Sequence, residues 1–98
     1  MTDVAMTARA EAEAPDAAEC FARGMIHSAG AGVPVDLVEA HKWFNIAALR
    51  GHAEAARLRR EIAEFMSDVE IGRAQRAARA WLAAHPQPRT ERSHRVAA

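Results

Sequence analysis

The sequence is short of almost everything that builds a covalent or metal-centred site. Its single cysteine excludes an internal disulfide and a Cys-rich zinc cluster. Its five histidines, His27, His41, His52, His85 and His94, include no His-x-x-x-His pair and no His-Glu-x-x-His motif. No stretch approaches the length of an apolar membrane span, and residues 1–15 lack the apolar core of a secretory signal, so a cytoplasmic location is expected. Net charge is also lacking. Thirteen basic residues balance thirteen acidic ones, which argues against a general nucleic-acid or membrane-surface binder. Large apolar side chains are few: Leu, Ile, Val and Phe together number 17, against 25 alanines. A chain of 98 residues with that composition favours closely packed helices over a sheet core.

What is present is helical punctuation. Asp16 with Glu19 three residues later marks a helix start, followed by Ala18, Phe21, Ala22, Met25, Ile26 and Ala29 at helical spacing. Gly30-Ala31-Gly32-Val33-Pro34 stops it. Asp36 and Glu39 open a second helix, whose apolar positions are Leu37, Ala40, Trp43, Phe44, Ile46, Ala47 and Ala48. So wide a face predicts contact with helices on two sides, and Gly51 is its natural stop. A third helix is expected from about Ala53 to Met66, packing through Ala55, Leu58, Ile62, Phe65 and Met66. Arg57 with Glu61, and Arg60 with Glu64, stand four apart on its wet side. Ser67 and Glu70 form the capping box of a fourth, lined by Ile71, Ala74, Ala78, Trp81, Leu82 and His85 and ended by Pro86. The reading is all-α: two antiparallel helical hairpins, four helices, in a solenoid-like arrangement. Residues 1–15 read as a disordered start, 16–51 and 52–85 as the hairpins, and 86–98 as a basic disordered tail.

The hairpins show weak internal similarity. Aligning Ala17 with Ala53 pairs Arg23 with Arg59 and Ile26 with Ile62; beyond the loops, Val38-Glu39 pairs with Val69-Glu70. Within residues 19–55, Gly24, Gly30-x-Gly32-Val33-Pro34, Asp36, Ala40, Trp43-Phe44, Ala47-Ala48, Gly51 and Ala55 resemble the Sel-1-like repeat, a relative of the tetratricopeptide solenoids. Arg23, His27 and the Arg59-Arg60 pair depart from that pattern, and the second hairpin lacks the glycine loop, so it reads as a degenerate repeat that caps the first. The resemblance implies a protein–protein interaction module or small scaffold that holds a partner segment in a helical groove. It is not expected to be an enzyme and needs no cofactor. Gly30, Gly32, Asp36, Ala40, Trp43, Phe44, Ala47, Ala48 and Gly51 are its structural positions. Arg23, His27, Arg57 and Arg60 are candidates for the partner-binding groove, because the other faces of their helices are committed to packing. Two hairpins fall short of the three or so units that stabilise a solenoid, which predicts a weakly stable monomer or a homodimer that continues the stack.

Cys20 and His27, seven apart on one helix, stand about 10 Å apart, too far for a nucleophile–base pair. The glycine loop lacks the Lys-Ser/Thr of a phosphate-binding loop and follows no strand. Trp43, Phe44 and Trp81 at their spacings read as packing residues more than as an open aromatic patch. Charge is unevenly placed: residues 1–56 hold four basic and eight acidic side chains, residues 57–98 nine and five. Arg73, Arg76, Arg79, Arg89, Arg92 and Arg95 therefore support an alternative, a binder of nucleic acid or an acidic partner through the fourth helix and tail. No aromatic stacking platform is interleaved with these arginines, which weighs against nucleic acid.

Overall fold

A computed structural model describes residues 15–86; residues 1–14 and 87–98, with the expected disordered start and basic tail, lie outside them. The described chain is all-helical: α1 (Ala17–Ala29), α2 (Leu37–Leu49), α3 (Ala55–Ala63) and α4 (Asp68–Ala84). Among the described residues there is no strand, and no helix is long and apolar enough to cross a membrane.

Three of the four helix starts follow from side-chain caps; α3 begins after Glu54 without one. Asp16 Oδ1 accepts from the Glu19 backbone N–H at 2.8 Å, and Glu19 Oε1 accepts from the Asp16 N–H at 3.0 Å. Ser67 and Glu70 repeat this reciprocal arrangement at α4. Each box satisfies two backbone donors that a helix end leaves without partners. Asp36 caps α2 in one direction only. Its own N–H donates to the carbonyl of His27, tying the end of the connecting loop back to the end of α1. That closure depends on Gly30, whose φ of 73° ends α1 in the left-handed region.

α2 is the hub. Phe44 meets α1 through Gly24 and the Phe21 ring, 5.6 Å away. Asn45 accepts from Arg59 of α3 at 2.7 Å, and Trp43 meets Trp81 of α4 edge-on at 5.4 Å. Six of its residues are buried, Ala40, His41, Trp43, Phe44, Ile46 and Ala47, so the expected double contact face is in fact a triple one. α1, α3 and α4 each pack on α2 and share few contacts with one another.

α3 is shorter than the periodicity indicates. From Glu64 to Met66 each N–H bonds three residues back, to Glu61, Ile62 and Ala63, so the chain tightens before the Ser67 cap. The tightening turns Phe65 out of the expected packed face and leaves it 80% exposed. Leu58 and Ile62 do pack against the core. Arg57 pairs with Glu61 at 2.8 Å, whereas the Arg60–Glu64 pair is not among the ion pairs of the described residues.

Candidate interaction surface

α1 carries an exposed apolar face, and it arises from a rotation. The sequence pattern points Ala18, Ala22, Met25, Ile26 and Ala29 inward. The structure buries Cys20 and Gly24 instead and leaves those five exposed. The cause is Phe44. Its ring is fully packed, and a Cβ placed on Gly24 would lie 2.6 Å from the ring carbons. Only a glycine lets α1 approach the ring that closely, so the Gly24 face, with Cys20 one turn away, must be the inner one. Phe21 is half-buried at the edge, stacked on His52 with centroids 3.9 Å apart.

The outward face is a seam. Ala18, Ala22, Met25 and Ala29 follow a 4-3-4 spacing that aligns them along one line of the helix. Met25 is 43% and Ile26 40% exposed. None of the five carries charge, and Glu19 and Arg23 flank them on one edge. Val33 and Val35, also exposed, extend the apolar surface into the loop beyond α1.

A cationic–aromatic cluster joins α1, α2 and α4. The Arg23 guanidinium lies 4.8 Å, and the Lys42 ammonium 4.5 Å, from the Trp43 ring centroid. Glu39 accepts from Trp43 Nε1 at 3.1 Å and pairs with Lys42 at 3.1 Å. His85 stacks on Trp81 at 4.1 Å, and Arg50 sits over the same indole while donating to the His85 carbonyl. The chain's own cations and imidazole thus lie over both indoles, so the cluster locks helices together and is no open platform for bases. Trp43 and Phe44 are buried and Trp81 is half-buried, as packing residues should be.

Titratable groups do not converge. Among the described residues no three His, Cys, Asp or Glu side chains gather as a metal site would require. Burial pushes the Cys20 thiol above its ordinary pKa, the reverse of an activated nucleophile. His41 is buried with Nδ1 unpartnered; burial first, and Arg59 second, lower its pKa, so it stands as a neutral ring in the core.

The four groove candidates sit on two helices, α1 and α3, that share few contacts. Arg23 is exposed at the cluster, and His27 is half-buried near the end of α1 with an unpartnered Nδ1. Arg57, on α3, is held by Glu54 and Glu61, and Arg60 is exposed. Among the described residues no hydrogen bond or ion pair joins the α1 pair to the α3 pair. Arg73, Arg76 and Arg79 are all exposed on α4; Arg89, Arg92 and Arg95 lie outside the described residues. Sequence reasoning missed the exposed seam. The signal was Gly24 with Cys20, one turn apart, on the face opposite Ala18, Ala22, Met25 and Ala29. No family model, curated protein or solved structure matches the chain.

Proposed function

We propose that this chain is a protein–protein interaction module, a small helical scaffold that engages a partner polypeptide through α1. The observation that carries the reading is the uncharged seam Ala18–Ala22–Met25–Ala29 with Ile26, exposed on a helix whose other face is anchored to the core. An apolar helix face that the fold leaves uncovered gains free energy by burying against another helix. Apolar anchors hold the partner, and Arg23, exposed beside the seam, steers its approach by charge. The Sel-1-like resemblance of residues 19–55 supports the same reading. A second reading, an acidic partner or nucleic acid recruited by charge, draws on the exposed Arg73, Arg76 and Arg79.

The test places a photo-crosslinking residue at Met25 in one variant and at Arg76 in another, each in lysate of the source cells. Salt-resistant protein adducts from position 25, lost when Ala22→Glu is added, are expected. Adducts that form only from position 76, vanish in salt and are sensitive to nuclease would transfer the function to α4.

A further inference from the structure

We infer that the α2–α3 contact is an acid-sensitive latch: a proton taken up by His41 releases α3 from α2, while α1 and α4 stay docked.

His41 is the only buried polar side chain among the described residues, 3% exposed, and its Nδ1 has no hydrogen-bond partner. It lies one turn before Asn45, on the same face of α2. Asn45 accepts from the Arg59 guanidinium of α3 at 2.7 Å. A neutral ring is tolerated in such a place. An imidazolium would be a second cation near Arg59 in a site that holds little water. The carboxylates are committed elsewhere. Asp16, Glu19, Asp36 and Glu70 cap helices. Glu39 is held by Trp43 and Lys42, and Glu54 and Glu61 by Arg57. Glu64 is exposed at the far end of α3, and Asp68 at the start of α4. The cations and rings of the other elements are likewise engaged: Arg23 of α1 overlies Trp43, His52 stacks on Phe21, and Arg50 and His85 gather on Trp81. His27 of α1 is half-buried with its own Nδ1 unpartnered. Arg59 is the charged group that bears on the His41 ring, and its charge adds to burial in opposing the proton.

The direction of the pH effect follows. A released ring takes its proton at the ordinary imidazole pKa of about 6.5, the docked ring only at lower pH. Docking of α3 is therefore at full strength above that value. It weakens as the pH falls below it, by at most about tenfold per pH unit for one proton.

α3 is the element that this proton can release. It is the shortest of the four helices, with 9 residues, and so short a helix has little stability of its own. α1, α3 and α4 each pack on α2 and share few contacts with one another, so α3 can leave without breaking the other two contacts. Those rest on Phe44 against Gly24 and Trp43 against Trp81, which carry no ionisable group. Release uncovers Leu58 and Ile62, which pack on the core in the docked form, in helical line with the exposed Phe65. The acid form thus presents an apolar helix face that the neutral form hides.

Amide hydrogen exchange of the full chain at about pH 7.5 and about pH 5.5, a window in which ordinary carboxylates stay ionised, tests the latch. Rates are read by peptide mass and corrected for the intrinsic effect of pH. Opening of α3 is expected to become several-fold, and at most about tenfold, more frequent at the lower pH, with α1 and α4 nearly unchanged. His41→Gln keeps a polar side chain that gains no charge, so its α3 protection should be the same at both values. Asn45→Asp, at a half-buried position, keeps an acceptor for Arg59 and sets a carboxylate one turn from the ring; it should also remove most of the acid loss. Equal α3 protection of the wild type at the two pH values overturns the latch. So does an acid loss that persists in both variants, that spreads equally to α1 and α4, or that disappears with His27→Gln or His52→Gln in place of His41→Gln.

Discussion

Replacing Trp43 with alanine is expected to cost about 3–5 kcal/mol and to leave most of the chain unfolded at room temperature, as read by urea titration followed by far-ultraviolet circular dichroism. The indole is only 6% exposed and stands where three helices meet. Removing it deletes the edge-on contact with Trp81 at 5.4 Å, worth about 0.5–1.5 kcal/mol beyond the area buried. It also leaves Arg23 and Lys42 without the ring they overlie, a loss of about 0.5–1 kcal/mol for each. The Glu39 carboxylate then loses its Nε1 donor. A domain this small has about 5 kcal/mol to lose, so one substitution takes most of its stability. Trp81→Ala should cost visibly less, since Trp81 is half-buried. A Trp43→Ala chain within about 1 kcal/mol of wild type would show that α2 does not organise the fold through this residue.

Gly24→Leu is expected to destabilise by about 3 kcal/mol or more, even though leucine is the better helix former. The Cβ alone would fall 2.6 Å from the Phe44 ring, and that ring has nowhere to go, being 1% exposed. Helix propensity returns about 1 kcal/mol, which overpacking exceeds. Gly72 in α4 supplies the control. A Cβ there meets only the far end of the Arg76 side chain, at 3.3 Å, which can swing aside. Gly72→Ala should therefore be neutral or stabilising by up to about 1 kcal/mol. Thermal melts of both variants decide it: equal stabilisation at the two positions would mean that α1 does not press Gly24 onto Phe44.

These two sites show what the sequence makes legible. Local chemistry is readable: Asp16, Asp36 and Ser67 cap where their spacing to Glu19, Glu39 and Glu70 predicts, and Gly30 takes the left-handed turn. The buried state of Ala40, Trp43, Phe44 and Ala47 follows from the wide apolar face of α2. Orientation was not legible on α1, because it has two candidate faces. Ala18, Ala22, Met25 and Ala29 outweigh Cys20 and Gly24 in apolar bulk, so periodicity favours the wrong side. The choice is made by a long-range partner, the Phe44 ring, which needs the space of a missing side chain. Phe65 departs from the periodicity for a different reason: its register continues α3, but the three-residue hydrogen bonds after Ala63 break that register. The groove candidates lie on two helices that each pack on α2, and no local pattern encodes how two helices sit on a third.

The orientation of α1 is the claim on which the surface and its function depend, and thiol labelling measures it. Cys20 is the chain's one native thiol and is fully buried, while Ala22, two residues on, faces outward. In dilute, native Ala22→Cys protein, a disulfide reagent should modify one thiol nearly as fast as in an unfolded peptide. The other should react at least about a hundredfold more slowly, only as the helix opens. Peptide mapping should assign the fast site to position 22. Fast modification of Cys20 with a protected thiol at position 22 would place the Ala18–Ala29 stripe in the core and contradict the account.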